Sequence, residues 1–278
     1  MLNVQMTKMV ADWFVGQEIA TAMAIFVNSW PAGIALSLMT LPLIGTAFGV
    51  GAVYLAVVIL IGLAILLLAA AYQPPANVAA VAATSARLDR NAAIAVVVAG
   101  LMWGLFNVGF AMIFSFGPTM LVERDWPISA AGSTISIVLW LAVVSVPLGG
   151  FLSDRSGRPA VILVAGCIVS AMLMVALPRS GAVVPIVIAL GLISGQPAGP
   201  ILSLPARVLR LETRAIGMGI FYTLYYATMM LGPAIAGTLA KVTGSAAAAF
   251  DFGAAALLAC PLLLWGFDRF PPGRPKSA

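Results

Sequence analysis

The chain has 278 residues, of which 62% are hydrophobic and only 8% charged, against about 25% charged in ordinary soluble domains. Such a composition excludes a water-soluble globular protein. The chain has no His and only two Cys, which disfavours a metal cluster, a disulfide framework and histidine-based catalysis. The net charge is +5, but the basic residues lie between apolar stretches, which disfavours nucleic-acid binding.

About eight transmembrane helices are predicted, because a hydrocarbon core about 30 Å thick requires about 20 apolar residues per helix. Pro and Gly residues divide the first uncharged stretch into two helices, and a linker of small residues follows it. The predicted helices cover residues 18–43, 50–72, 93–121, 128–152, 160–178, 182–206, 214–240 and 246–267. We therefore expect an all-α membrane protein.

The distribution of Lys and Arg predicts the orientation of these helices. Eleven of the fourteen lie in residues 1–17, 73–91, 153–159, 207–214 and the tail from Arg269, and the opposite loops hold only Arg124, Arg179 and Lys241. Cytoplasmic loops are enriched in these residues, so both termini are expected in the cytoplasm. The opening residues lack the regions of a cleavable signal. We expect a multi-pass protein of the cell inner membrane.

A short motif recurs 195 residues apart, at the starts of the first and seventh predicted helices. Residues 20–26 (ATAMAIF) and 215–221 (AIGMGIF) share the pattern A-x-small-M-small-I-F. Two six-helix halves in parallel repeat would produce this spacing, and a chance match among Ala-rich helices is the alternative.

The segment between the fourth and fifth predicted helices carries the most specific motif, GFLSDRSGRP at residues 150–159. Gly150 and Gly157 permit a tight turn, Asp154 can face a helix N-terminus, and Arg155 and Arg158 can bind carboxylates or headgroups. The pattern G-x-L-x-D-R-x-G-R resembles the signature loop of the major facilitator superfamily in nearly every position. A basic loop that only obeys the positive-inside rule is the alternative.

This resemblance, which covers essentially the whole chain, implies a partial major-facilitator fold. In that family the signature loop joins the second and third helices and recurs between the eighth and ninth, and the loop here is similar to the second copy. The eight helices would then be the fifth to the twelfth, without the first four. On this interpretation the chain comprises a remnant of the N-terminal half (1–72), the central cytoplasmic linker (73–91), a six-helix bundle (92–267) and a cytoplasmic tail (268–278).

Polar and aromatic residues inside the predicted spans are the candidates for substrate contact, namely Asn28, Trp103, Asn107, Gln196, Tyr222 and Tyr226. We expect Asn107, Gln196 and at least one of Tyr222, Tyr225 and Tyr226 to face a common cavity. Prolines in residues 196–200 (QPAGP) are expected to kink a helix that lines this cavity. Interhelical packing and interfacial anchoring are the alternative roles of such side chains.

The signature loop supplies the candidate gating residues, which are Gly150, Asp154, Arg155, Gly157 and Arg158. Asp154 is expected to contact residues 16–21 across the halves, with Arg155 or Arg158 neutralising Glu18. The alternative is an ion pair of Asp154 with Arg207 or Arg210. Apart from Asp251 near an outer helix end, no charged residue is expected at membrane depth, so any coupling carboxylate would belong to the missing helices.

The resemblance implies a secondary active transporter that moves a small solute by alternating access. An inactive remnant or a non-transporting membrane subunit is the alternative. A membrane enzyme is disfavoured, because the sequence lacks His and a carboxylate pair at membrane depth. We expect no metal or cofactor. The expected partners of this monomer are the lipid bilayer and a small-molecule substrate, with or without a coupling ion.

Overall fold

A computed structural model of the chain describes residues 2–14, 18–71 and 88–269, so most of the predicted central linker and of the predicted tail lies outside the described residues. The described residues form helices and short connections. The helices are α1 (Leu2–Phe14), α2 (Ile19–Val27), α3 (Ser29–Phe48), α4 (Val50–Ala71), α5 (Arg90–Val122), α6 (Ile128–Ser156), α7 (Pro159–Ala176), α8 (Val183–Ile193), α9 (Ala198–Val208), α10 (Arg214–Thr243) and α11 (Ala247–Phe267).

Seven helices in the described part of the chain are long and apolar enough to cross a membrane, with α8 and α9 together forming one of them. The remaining predicted span corresponds to α2 and α3, which meet at Asn28. The expected all-α membrane fold is therefore confirmed. Pro31 explains the junction at Asn28, because proline has no backbone N–H to continue the helical hydrogen bonding across it.

Helix α5 lies at the centre of the packed part of the molecule, where it contacts α6, α9, α10 and α11. Glycines on α5 permit the close approach. A Cβ on Gly104 would lie 2.6 Å from Thr228 of α10, and one on Gly109 would lie 2.6 Å from Leu257 of α11. Within a bilayer the hydrophobic effect does not drive helices together, so their association depends on close van der Waals packing, which small residues at the contact allow. At these two positions the contacts of α5 with α10 and α11 therefore depend on close van der Waals packing.

Helix α4 has the opposite character, because none of its 22 residues is buried. It packs against α3, and apolar side chains cover all of its faces. A helix that is apolar all round and exposed in the protein is stable only where lipid surrounds it.

Charged side chains at the end of α5 cap two other helices. Glu123 accepts hydrogen bonds of 2.9 and 3.0 Å from the backbone N–H of Ala246, where α11 begins. Arg124 donates to the carbonyls of Leu177 and Ser180 after α7, at 3.1 and 2.8 Å. Each charge therefore has the sign that the neighbouring helix dipole favours.

Arg179 lies at this same end of the bundle, where it forms an ion pair of 2.8 Å with Asp251. The hydrogen bonds that the Arg179 guanidinium donates to the Asp251 carboxylate raise the pKa of Arg179. Arg124 and Arg179 are thus grouped at one end, as the distribution of Lys and Arg predicted.

The first residues differ from the sequence-based expectation. Residues 1–17 were expected to be a charged cytoplasmic segment, but Leu2–Phe14 forms a helix that packs against α2 and α10. Thr7 and Ala11 are buried in this contact. The buried side of α1 carries polar residues, so the sequence of this segment lacks the hydrophobic periodicity of an amphipathic helix. These polar residues can be buried because distant parts of the folded chain supply their hydrogen-bond and ion-pair partners.

Candidate functional site

A narrow cavity lies where the junction of α2 and α3 meets α5, α6 and the junction of α8 and α9. It offers about 30 Å³ to the centre of a water-sized molecule, which is room for about two water molecules. The lining residues are Val27, Trp30, Pro31, Trp103, Phe106, Asn107, Phe110, Ala142, Val146, Gly195 and Ala198. The cavity thus lies beside two helix interruptions, where the backbone departs from regular hydrogen bonding.

Aromatic rings form most of the cavity wall. Trp30 lies with its ring centroid 6.4 Å from that of Phe110, and Trp103 stacks on Phe106 at 5.6 Å. Asn107 is the polar side chain of the lining, and its Nδ2 donates to the Trp103 carbonyl at 2.8 Å. This bond uses one of the two N–H donors of the Asn107 amide within α5.

Asn28 lies next to the cavity-lining Val27 but is not itself part of the lining. Its Nδ2 donates to the Val143 carbonyl of α6 at 2.9 Å. Pro147 accounts for this contact, because its missing N–H would otherwise bond to that carbonyl within the helix. The Oδ1 atom of Asn28 is buried without a hydrogen-bond partner among the described residues.

Gln196 lies in the interruption between α8 and α9 that its neighbouring prolines produce. Its side chain donates to the Leu192 carbonyl of its own chain segment at 2.9 Å, and it does not contribute to the lining. The adjacent Gly195 and Ala198 do line the cavity. The backbone of this interruption, rather than the Gln196 side chain, thus reaches the cavity.

The three tyrosines of α10 form a cluster beside the cavity. Tyr222 is buried, and its hydroxyl shares a hydrogen bond of 2.6 Å with Thr7 of α1. Tyr225 lies 6.0 Å from Trp103 between ring centroids, and Tyr226 packs on Tyr225 at 4.8 Å. Of the sequence-based candidates, Trp103 and Asn107 therefore line the cavity. Gln196 and the three tyrosines are not among its lining residues, so the common cavity expected for Asn107, Gln196 and a tyrosine is not found there; Tyr225 only packs on the lining residue Trp103.

Asp154 makes the contact with the start of α2 that its motif predicts. Its carboxylate accepts hydrogen bonds from the backbone N–H groups of Ala20 at 3.3 Å and Thr21 at 2.6 Å. Glu18, at the N-cap position of α2, has φ 41° and makes no side-chain capping bond. Asp154 thus supplies the missing cap from another helix, in line with the partial positive charge there.

The other signature residues shape this contact without forming the expected charge network. Gly157 ends α6 with φ 64°, and the Arg155 guanidinium lies 5.7 Å from the centre of the Phe151 ring. Among the ion pairs of residues 2–14, 18–71 and 88–269, none joins Glu18 to Arg155 or Arg158, and none joins Asp154 to Arg207 or Arg210.

Glycines allow α2 to approach α6 and α9 closely beside Asp154. A Cβ on Gly150 would lie 2.6 Å from the Ala20 carbonyl oxygen and 2.6 Å from the Ala24 side chain. A Cβ on Gly199 of α9 would lie 2.5 Å from the same oxygen. The backbones of the three helices therefore lie in close contact beside Asp154.

A buried ion pair joins α1 to α10, and the sequence pattern did not indicate it. Asp12 binds Arg214 at 2.6 Å, and both side chains are less than 5% exposed. Lys8 contacts the other Asp12 oxygen at 2.6 Å. The four-residue spacing of Lys8 and Asp12 was a usable sign of a helix, but only the fold brings Arg214 to them.

Comparison with known proteins identified one family. A model described as the Major Facilitator Superfamily matches residues 1–223, and a second match covers residues 92–278. The two matches together span the chain and overlap in its middle, which fits a family whose halves are parallel repeats. The curated proteins include no significant match.

Proposed function

Because the chain belongs to the major facilitator superfamily, we propose that it acts as a secondary active transporter that moves a small solute by alternating access. Members of this family are transporters. The chain is a multi-pass membrane protein, and its partners are the lipid bilayer and a small solute.

The observation that carries the proposal is the position of the cavity. It lies between α2–α3 and the packed helices α5, α6, α8 and α9, and α2 contacts α6 and α9 beside Asp154. We assign α2–α4 to one half of the transporter, residues 92–267 to the other, and the cavity to the substrate site between them. The Asp154 contact is one that a conformational cycle can break, since a charge at a helix end contributes about 0.3–1 kcal/mol.

We assign the residues roles on this basis. Trp103 and Asn107 contact the substrate, and the neighbouring Asn28, Gln196, Tyr222 and Tyr226 support the site. Gly150, Asp154, Arg155, Gly157 and Arg158 form the gate, which we place on the cytoplasmic side. Only three of the fourteen Lys and Arg residues lie in the loops of the opposite end, namely Arg124, Arg179 and Lys241. The excess on the Asp154 side supports an orientation with both termini in the cytoplasm of a cell whose inner membrane holds the protein.

Thiol labelling of the cavity tests alternating access without knowledge of the substrate. Val27→Cys, in a background with Cys167→Ala and Cys260→Ala, places one thiol in the cavity wall. A membrane-impermeant maleimide is expected to label it in both right-side-out and inside-out vesicles. Leu258→Cys is the control, because Leu258 is exposed in the middle of α11, where lipid excludes the reagent. Labelling of Val27→Cys from one side only contradicts the proposal and favours a non-transporting membrane subunit.

A further inference from the structure

A stripe of exposed apolar side chains runs along α11 toward the Asp154 side of the molecule. Helix α11 begins where Glu123 caps it, and α6 runs from that side to Asp154, so the last turn of α11 lies on the Asp154 side. Leu258, Leu262 and Trp265 share one helical face and are 47%, 72% and 63% exposed. The leucines of such a face contact acyl chains, and a Trp at its end lies at the level of the lipid headgroups.

Arg269 follows this stripe one turn later and stacks on its aromatic residue. The guanidinium carbon lies 3.5 Å from the centre of the Trp265 ring, which is van der Waals contact. Trp is the best aromatic partner for a cation, and a stacked Arg keeps the N–H donors at the edge of its planar group. Among the ion pairs of the described residues, none includes Arg269. The positive charge is therefore held beside the lipid-facing stripe with donors to offer.

The same arrangement recurs on α6. Val144, Leu148, Phe151 and Arg155 have the sequence spacing of the α11 residues, and the three apolar ones are also exposed. The Arg155 guanidinium lies farther from its ring, at 5.7 Å from the centre of Phe151. Two helices thus end on the Asp154 side with an Arg beside an exposed ring. The tighter of the two pairs is that of α11.

The two sides of the molecule also differ in charge. The three basic residues in the loops opposite to Asp154 are balanced by three acidic residues, namely Glu123, Asp125 and Asp251. The distribution of charged residues therefore assigns the whole net charge of +5 to the Asp154 side. A basic surface at the level of the headgroups attracts anionic lipids.

We propose that Trp265 and Arg269 bind the phosphate of an anionic phospholipid, whose acyl chains lie along Leu258 and Leu262. An Arg can bind a phosphate through two parallel N–H···O hydrogen bonds, and the stacked ring holds the guanidinium in place for them. A zwitterionic lipid carries a cationic amine beside its phosphate, and the positive charge of this side disfavours it. The site lies on the outer face of α11, away from the cavity, and does not depend on transport.

A fluorescent reporter in the stripe measures which lipid lies there. Leu262→Cys, in a background with Cys167→Ala and Cys260→Ala, is labelled with bimane in phosphatidylcholine nanodiscs. A small fraction of phosphatidylglycerol or phosphatidylcholine with a nitroxide on the acyl chain serves as the quencher. We expect phosphatidylglycerol to be enriched about fivefold over phosphatidylcholine at the reporter, which is the effect of one Arg at an anionic surface.

A second reporter on the opposite side is the control for this measurement. Ile128→Cys in the same background places the label at the start of α6, where the side chain is 79% exposed and the charges of the loops balance. The ratio of quenching by the two lipids is expected to be near one there. Equal ratios at the two reporters overturn the proposal.

Substitutions of the stacked pair assign the preference to its side chains. Arg269→Gln is expected to bring the ratio at the Leu262→Cys reporter near one, and Trp265→Leu to lower it about two- to fivefold. Arg210→Gln is the matched control and should keep the wild-type ratio. Arg210 is exposed on the same side, and it is not among the arginines that lie over a ring in the described part of the chain.

Equal losses in Arg269→Gln and Arg210→Gln would show attraction by the overall charge alone and overturn the site. A preference that survives in Trp265→Leu overturns the role of the ring. The altered side chains are exposed, and the comparison of the two reporters in the otherwise unchanged chain is a test by itself.

A soluble phosphate offers the same chemistry as a headgroup, so the source of the anion is tested separately. Inorganic phosphate replaces chloride at equal ionic strength in the Leu262→Cys nanodiscs. The phosphatidylglycerol preference is expected to stay unchanged, because the acyl chains add buried apolar area that a free anion lacks. Loss of the preference in phosphate would assign the site to a soluble anion and overturn the lipid proposal.

Discussion

Asp154 lies in the last turn of α6, where the partial negative charge of its own helix disfavours a carboxylate. The hydrogen bonds to Ala20 and Thr21 offset this cost, because the first turn of α2 carries partial positive charge. The residue is thus poorly placed for its own helix and well placed for a neighbouring one. A position of this kind favours a role in holding two segments together.

Asp154→Ala is expected to loosen the contact between α2 and α6. The loss of a cap worth about 0.3–1 kcal/mol predicts a rise of about two- to fivefold in cytoplasmic labelling of Val27→Cys. Asp89→Ala is the control, because Asp89 caps its own helix α5 through the N–H of Asn91. It should lower stability by a similar amount without changing the labelling rate. Equal effects of both substitutions on labelling would remove the gating role of Asp154.

The buried ion pair of Asp12 with Arg214 and the exposed ion pair of Asp251 with Arg179 are expected to contribute differently to the free energy of unfolding. Asp12→Asn leaves the buried Arg214 without its full partner, at an expected cost of about 3–5 kcal/mol in the free energy of unfolding. Asp251→Asn breaks the pair with Arg179, whose side chains are 53% and 44% exposed, and should cost about 0–1 kcal/mol. Unfolding by SDS in mixed micelles measures both. Similar costs would mean that the Asp12 pair is hydrated in solution.

At the scale of whole helices, proline creates the polar contacts at membrane depth. Pro147 leaves the Val143 carbonyl of α6 without an N–H, and Asn28 fills the position from the α2–α3 junction. Pro31 interrupts the helix at that junction. A backbone carbonyl that would form an intrahelical hydrogen bond in a regular helix is thus free to accept one from a neighbouring helix.

A double-mutant cycle tests this coupling. Asn28→Ala alone leaves the Val143 carbonyl unpaired and should cost about 1–2 kcal/mol in unfolding free energy. In the Pro147→Ala background the cost should nearly vanish, because the new N–H of residue 147 can bond the carbonyl within α6. Unfolding titrations of the four proteins give the coupling energy directly. An unchanged cost of Asn28→Ala in the two backgrounds would show that Pro147 is not the reason for the contact.

Close helix packing on the Asp154 side makes a second prediction for α6. Gly150→Ala adds a Cβ 2.6 Å from the Ala20 carbonyl oxygen, so α2 must move away from α6. We expect increased cytoplasmic labelling of Val27→Cys. Gly132→Ala on the same helix is the control, because its Cβ would meet nothing within 4 Å, and it should leave labelling unchanged. Equal labelling of the two variants would contradict a closed contact here.

At the scale of the whole molecule, the helices fall into two kinds of environment. Most of the apolar stretch of α5 is buried by the surrounding helices, whereas none of the residues of α4 is buried. Both helices are strongly hydrophobic, so composition does not separate them. Their positions relative to the other helices decide which one contacts protein and which one contacts lipid.

The membrane class and the approximate limits of the spans could be predicted from the sequence alone, and the contact of Asp154 with the start of α2 was one of the two arrangements that the sequence left open. These features depend on local properties, namely the length of apolar runs and a turn motif whose carboxylate suits a helix N-terminus. Residues Trp103 and Asn107 were also identified in advance, because polar and aromatic residues stand out within apolar helices. Such signals can be read without knowledge of the packing.

Which candidate side chains line the cavity, and which charged residues form ion pairs, depends on how the helices pack against one another. Gln196 and Tyr222 satisfy their polar groups elsewhere, and Asp12 meets Arg214 across about 200 residues of chain. Helix α1 was not predicted, because its buried polar residues Thr7 and Asp12 are stabilised by Tyr222 and Arg214 of α10, which are distant in the sequence. The direction of a side chain depends on helix rotation and on distant partners, and neither is encoded in the local pattern of hydrophobicity.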